Sequence, residues 1–464
     1  MGHTVRVNPR VLTMEYAVRG PIPQRAAEMQ RAGRRIIPCN IGNPQALGQP
    51  AISFYRQMLS LFEDPDAVAR ARTADRARIE GAISGDVIDL AEEILAKTRT
   101  GTGAYTDSAG FRFVRESVAA FIDARDEGGP AANSDAIFLT DGASEGASNV
   151  LEALISGPED GILVPVPQYP LYSAAVARLG GTFVGYEPDE DAGWALSRDT
   201  LEAPLAEARE KGVHVRAVVV INPGNPTGAI LDEASMRDVI AVARENGLVI
   251  IADEVYQENT YGQPWSSFAR VLGDEPIPLC SLHSVSKGSA GECGHRGGYL
   301  EVRNPPKVEG RRLTLCDVLN KQASVNLCPN TIGQLLVHLT VTGPPAGTPT
   351  AAAFERERLQ ILDDLHAKAT MIRHGLEAMP GVSVSGRTGA MYVFPRLEGL
   401  PAGTGDFEYC MALLEETGLV TVNGSGFGQR RGTHHLRCAF LPPFDVIQEV
   451  MPRWADFHGR YLGA

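Results

Sequence analysis

No apolar run in this 464-residue sequence approaches the roughly 20 residues that a membrane helix needs. Cysteine is sparse as well: Cys39, Cys280, Cys293, Cys316, Cys328, Cys410 and Cys438 are all there is, and no Cys-x-x-Cys occurs. An odd number at wide spacings argues against a disulfide framework and against a zinc site. The one adjacent histidine pair, His434-His435, does not suggest a metal centre, because neighbours on a strand point to opposite faces. No GxGxxG follows an early strand, which removes a dinucleotide-binding reading. Net positive charge is also lacking. Lys plus Arg is 43 against 56 for Asp plus Glu, a net charge of −13. So acidic a chain is a poor partner for nucleic acid or an anionic membrane. The opening MGHTVRVNPR has neither the apolar core of a secretory signal nor the Ser that favours myristoylation, so the expected location is cytoplasmic. Lysine is the rarest of the chemically useful residues: only Lys97, Lys211, Lys287, Lys307, Lys321 and Lys368 occur.

What is present is an ordinary globular composition, 44% hydrophobic and 21% charged, over a length that suits a large domain with a satellite. Seven apolar runs stand out: 136–140 (AIFLT), 161–166 (GILVPV), 182–186 (TFVGY), 216–221 (RAVVVI), 248–252 (LVIIA), 278–282 (PLCSL) and 297–302 (GGYLEV). Stretches with helical spacing separate the first five. Near-continuous β-branched strands joined by helices imply a mostly parallel seven-stranded sheet covered by helices. The C-terminal third reads as a smaller α+β domain. It has a long helix at 352–378, short strands near 381–385, 391–395, 419–422 and 435–440, and helices near 406–416 and 445–459. The segment 343–350 (GPPAGTPT) is a connector. The expected division is a large domain at 80–330 and a small domain at 331–464, with 1–79 as an N-terminal arm that completes it.

In open α/β sheets, sites lie at the C-terminal ends of strands. After AIFLT comes Asp141-Gly142-Ala143-Ser144, small residues opening a helix, where backbone N–H groups favour an anion. After RAVVVI comes NPGNPTG, a folded loop that fixes Asn225. After LVIIA comes Asp253, an acid that is costly at a buried strand end without a cation. Lys287, flanked by small residues after PLCSL, differs from the other lysines, which lie in hydrophilic, helical settings. Arg437 sits within the apolar run LRCAF, where a planar guanidinium suits a carboxylate. Each feature alone also reads as a cap, a turn or an ion pair. Together they are what pyridoxal 5′-phosphate (PLP) requires for amino-acid chemistry.

The stretches NPGNPTG, ADEVYQENTY and HSVSKGSAGECGHRGGY resemble the fold-type I, PLP-dependent class I/II aminotransferases, and more narrowly the alanine aminotransferases. MEYAVRGPI, CNIGNPQALGQ, TGAYTDSAG, TDGASEGA, PVPQYPLYS, GAMYVFPR, LLEETG and GSGFGQRRGTHHLR extend the likeness over nearly the whole chain. The resemblance implies roles. Lys287 matches the lysine that forms the Schiff base and then shuttles the proton, and Asp253 matches the partner of the pyridine nitrogen. Tyr256 and Asn225 match donors to the ring oxygen, and Tyr169 matches the aromatic stacked on the ring. Ala143, Ser144, Ser284 and Arg296, with Ser286 nearby, match the phosphate contacts. Tyr105 matches a tyrosine that reaches the neighbouring subunit's site, which implies a homodimer. Arg437 matches the clamp on the substrate α-carboxylate, with Gly42 and Asn225 beside it.

The implied activity is ping-pong exchange of an amino group between L-alanine and 2-oxoglutarate through a Lys287 aldimine. Asn423, where a Pro is expected, and Ala439-Phe440, where family members usually carry Thr-Ile, depart from the pattern beside Arg437 and bear on substrate choice. Two other chemistries fit the same scaffold: a different pair such as glutamate and glyoxylate, and β- or γ-elimination. A helix-turn-helix regulator with an aminotransferase-like domain fits poorly, because 1–80 resembles the enzymes' own N-terminal segment and the whole chain is acidic.

Overall fold

Runs of β-branched residues without polar alternation form the principal ladder, as expected of strands buried on both faces. The computed structural model describes residues 7–12, 20–71, 83–99 and 101–463. The stretch MEYAVRGPI therefore lies outside the described residues, apart from its last three. All seven apolar runs singled out above are strands, and the fold is α/β. The chain divides into two compact units. One comprises Met1–Asn43, Val150–Ser266 and Asp364–Ala464; the other comprises Pro44–Asn149 and Ser267–Asp363.

In the first unit, Asp160–Pro165 pairs in parallel with Thr182–Tyr186 on one side and with His214–Ile221 on the other. His214–Ile221 pairs in parallel with Val249–Asp253. Helices make the crossovers that parallel pairing demands. The helix Glu233–Asn246 shows how these are punctuated: Asp232 accepts a hydrogen bond from the Ser235 N–H at 2.8 Å, and Gly247 closes the helix at φ 65°. This unit also holds the C-terminal α+β layer. Leu436–Ala439 pairs antiparallel with Tyr392–Val393 and with Val422–Asn423, and Val422 stands opposite Arg437. Helices Asp406–Thr417 and Phe444–Leu462 belong to the same layer. The strand expected at 381–385 is only Val382–Ser383, because Gly381 and Gly386 take positive φ on either side of it.

In the second unit, Gly298–Arg303 runs antiparallel to both Ile137–Thr140 and Leu279–Ser284. The stretch 285–297 contains no crossover helix, so the chain reverses there. That reversal creates the turn on which Lys287 sits. Helix Ser53–Glu63 buries Phe54, Tyr55, Met58, Leu59, Leu61 and Phe62, and Phe354 packs edge-on against Phe54 and Tyr55. The connector expected at 343–350 is 343–348, between helices Thr331–Thr342 and Pro349–Glu377, the second of which takes the last two residues of the expected stretch.

Candidate functional site

The sequence-predicted residues assemble into two groups, one in each unit. In the first unit, Asp253 ends its strand and is buried. Tyr172, one helical turn beyond Tyr169, donates from its hydroxyl to Asp253 Oδ2 at 2.9 Å. Burial, reinforced by the Asp253 carboxylate, pushes the Tyr172 phenol well above its ordinary range, so it remains a donor. Tyr169 itself is half-buried, and its carbonyl accepts from the Tyr172 N–H at 3.3 Å. Tyr256 is buried, with its ring 6.0 Å from that of Tyr392 and steeply inclined to it. Burial, then Tyr392, raises the Tyr256 phenol as well.

Asn225 lies in a loop braced at both ends. Gly224 N–H donates to Ala229 O at 2.8 Å, and Gly389 N–H donates to Gly228 O at 2.7 Å. Gly228 stands at φ 71°, and a Cβ there would come within 2.6 Å of Tyr392 O, so only glycine fits. This loop presents Asn225 Oδ1 to Arg437, whose Nη1 donates to it at 3.1 Å. Arg437 Nη2 donates to Asn40 O at 2.5 Å. The guanidinium carbon lies 4.3 Å from the ring centre of Tyr392 and 4.7 Å from that of Phe427. Arg437 is 2% exposed, yet among the described residues it has no carboxylate partner, and its Nε is buried without a hydrogen bond. Gly42, two residues after Asn40, is half-buried in irregular structure.

In the second unit, Lys287 is half-buried in the turn after Leu279–Ser284, and its carbonyl accepts from Gly291 N–H at 3.3 Å. Ser286 N–H donates to Ser284 Oγ at 3.1 Å, and the two hydroxyl oxygens are 2.9 Å apart. Ala143 and Ser144 begin the helix Ala143–Leu154. Arg296 reaches that helix start: Nη2 donates to Asp141 O at 3.0 Å and to Ser144 Oγ at 3.3 Å, and Nη1 donates to Cys293 O at 3.0 Å. A Cβ on Gly142 would approach Arg296 Nη2 to 2.4 Å, so the glycine leaves the guanidinium room at the helix N-terminus. A guanidinium, three serine hydroxyls and the N–H groups of a helix start suit a phosphate. Tyr105 is 77% exposed.

Four contributors escaped sequence reasoning. Tyr172 could have been found from its three-residue spacing to Tyr169 at a helix start. Tyr392 and Phe427 lie in apolar surroundings and read as ordinary core. Asn40 contributes a carbonyl, which leaves no signal in side-chain chemistry.

Each group fits a part of PLP: the buried carboxylate and buried phenols of the first unit suit its ring, and the cradle and lysine of the second suit its phosphate and its aldehyde carbon. Comparison with known proteins agrees. The family pattern "Aminotransferase class I and II" matches residues 80–447. The chain is 42% identical to "Alanine aminotransferase 2" of Panicum miliaceum, covering 100% of this chain and 99% of that one. It is 41% identical to "Glutamate--glyoxylate aminotransferase 2" of Arabidopsis thaliana, over 98% of this chain and 95% of that one. The solved structure of "Alanine aminotransferase from Pyrococcus furiosus" is similar at 26% identity and a TM-score of 0.78, over 98% and 100% of the two chains. The chain thus belongs to the class I and II aminotransferases of fold type I, enzymes that work with PLP.

Proposed function

We propose that the protein exchanges the amino group between L-alanine and 2-oxoglutarate, giving pyruvate and L-glutamate. The observation that carries this reading is Arg437. A buried guanidinium bonded only to neutral oxygens, with Nε unsatisfied, wants an anion from outside the chain. An amino or 2-oxo acid brings a carboxylate to it, and the fork geometry admits a paired contact. The alanine half of the reading is supported by relatives named for that activity along nearly the full chain.

When bound, PLP supplies an electron sink for the pair left behind as the substrate Cα–H bond breaks. The chain's own residues do the rest. Ser144, Ser284, Ser286, Arg296 and the helix start at Ala143 would hold the phosphate. Asp253, oriented by Tyr172, would hold a proton on the ring nitrogen by its negative charge. Tyr256 and Asn225 would donate to the ring oxygen, and Tyr169 would pack on the ring. Arg437, with Gly42 and Asn225 beside it, orients the substrate carboxylate. Lys287 would carry the cofactor, and its Nζ, once displaced, would take the Cα proton and deliver it to the cofactor side rather than back to Cα. Water would release the 2-oxo acid while the amino group stays with the cofactor, and a second 2-oxo acid would take up that group by the same steps in reverse. In this division of labour, 80–330 binds the cofactor and lends Asn225, while 1–79 and 331–464 supply Gly42 and Arg437 of the substrate clamp. A second copy completes the site: Tyr105, a tyrosine left largely in solvent, reaches the phosphate of the neighbouring subunit.

The test is a half-reaction. L-Alanine alone, added to the PLP-loaded protein, should abolish its visible absorbance band, and 2-oxoglutarate should restore it. A band that survives alanine would overturn the assignment. Glyoxylate deserves a parallel trial as acceptor, because a relative named for glutamate and glyoxylate is 41% identical. Sedimentation should give a dimer, and Tyr105→Phe should weaken PLP binding without changing that mass.

A further inference from the structure

His435 is 1% exposed, and both of its ring nitrogens are engaged. Nδ1 lies 2.9 Å from Gln429 Oε1, and Nε2 lies 2.9 Å from Glu190 Oε1. The amide of Gln429 has only one sensible orientation, because its Nε2 donates to Asp406 Oδ2 at 2.7 Å. Turned over, it would set a carbonyl oxygen against a carboxylate that already accepts from Ser425 N–H at 2.7 Å. Gln429 Oε1 must therefore accept, which makes Nδ1 a donor. Glu190 Oε1 belongs to a carboxylate, so Nε2 is a donor too. A ring with two donors is an imidazolium. Phe394 lies parallel beneath it at 4.8 Å, which suits a cation.

This ring stands two residues before Arg437 and grips the loop behind it. The His435 carbonyl accepts from Gly424 N–H at 2.8 Å, and its ring holds Gln429, so one residue ties both ends of the stretch 424–429. Within that stretch is Phe427, whose ring packs against Arg437 and whose carbonyl accepts from Gln168 N–H at 2.9 Å, next to Tyr169. The charged groups around His435 are Glu190, Asp406 through Gln429, and Arg396, whose Nη1 lies 3.9 Å from Glu190 Oε2 and 3.8 Å from Asp191 Oδ1. Arg437 follows on the same strand.

We infer that His435 is a positioning residue for the carboxylate clamp: held as an imidazolium between Glu190 and Gln429, it fixes the loop that backs Arg437. The inference rests on Arg437 being that clamp. Loss of the ring proton sets Nε2 against a carboxylate with no hydrogen between them, loosens the loop and weakens carboxylate binding. Affinity for a carboxylate should therefore fall as the pH is raised.

Neutron diffraction on the deuterated, PLP-loaded protein reads the charge directly. Deuterium on both ring nitrogens is expected; one bare nitrogen, or a deuteron on Glu190, overturns the inference. Binding gives the functional arm. Propionate, a carboxylate without an amine, should bind the wild type about tenfold more weakly across the titration, by calorimetry. E190Q should flatten that dependence, because an amide can donate to a neutral ring. H435Q should raise the KM for L-alanine roughly tenfold while kcat changes by less than about twofold. An E190Q profile that parallels the wild type overturns the inference, and this arm stands even if H435Q does not fold. R437K separates the two readings. If it binds propionate normally, the clamp reading itself fails. If it loses propionate while E190Q and H435Q behave as wild type, only the role of His435 fails.

Discussion

Tyr172 Oη stands 2.9 Å from Asp253 Oδ2, with both side chains out of solvent. The tyrosine gives the acid a neutral donor that holds its orientation and leaves its charge intact. Carboxylate charge and carboxylate orientation can therefore be separated by mutation. Asp253→Asn removes the charge and should lower kcat by roughly 10³-fold, the scale of losing one preorganised electrostatic partner. Tyr172→Phe removes one hydrogen bond to a charged group and should cost about tenfold. Steady-state kinetics on both variants decide the matter. Equal losses would mean that Tyr172 does more than orient.

Arg437 gives the second prediction. Truncation to alanine deletes the charge that meets the substrate and leaves Asn225 and Asn40 without their donor. The KM for L-alanine should rise roughly 100-fold, on the scale of two charge-assisted hydrogen bonds. Arg437→Lys keeps the charge but loses the fork, and should recover only part of that loss. PLP affinity serves as the control. A KM that stays put in both variants would make Arg437 a structural residue.

Lys287 calls for a chemical test as well as a kinetic one. Borohydride reduction of the PLP-loaded protein, followed by digestion and mass spectrometry, should place the cofactor mass on the peptide containing Lys287. Lys287→Ala should lose at least about 10⁴-fold in turnover while still binding PLP non-covalently. Label on another of the lysines, or multiple turnovers by the variant, would refute the role.

The strand-end residues were legible because their chemistry clashes with their setting. A lysine between small residues, an acid closing LVIIA and an arginine inside LRCAF each break a local rule, and such breaks concentrate at functional sites. Tyr172, Tyr392 and Phe427 break no rule: an aromatic in an apolar stretch is what a core contains. Strand direction was only partly legible. Nothing in GGYLEV announces that Gly298–Arg303 runs against both neighbours; that follows from 285–297 having no crossover helix. The chain from Glu190 through His435 to Gln429 was out of reach, since its first link spans 245 residues. A carboxylate there looks like any surface acid until the ring it meets is known.

His338 provides a prediction on stability rather than turnover. It is buried beside Phe113, with Nδ1 2.9 Å from Ser117 Oγ. Burial, then the positive charge of Lys97, pushes its pKa down to about 4, with Glu93 opposing. In the unfolded chain the same ring takes a proton near ~6.5. Above that pH the folded and unfolded states bind equal protons, and the full stability is present. As the pH falls from about 6.5 towards about 4, the unfolded state gains a proton that the fold refuses, so stability declines by up to about 3 kcal/mol. His338→Leu removes that proton from the balance. Urea unfolding at neutral pH and again near pH ~4.5 should show a smaller acid loss in the variant, the difference between the two proteins narrowing as the pH drops. Parallel losses would mean that other groups carry the acid limb and that His338 is protonated in the fold.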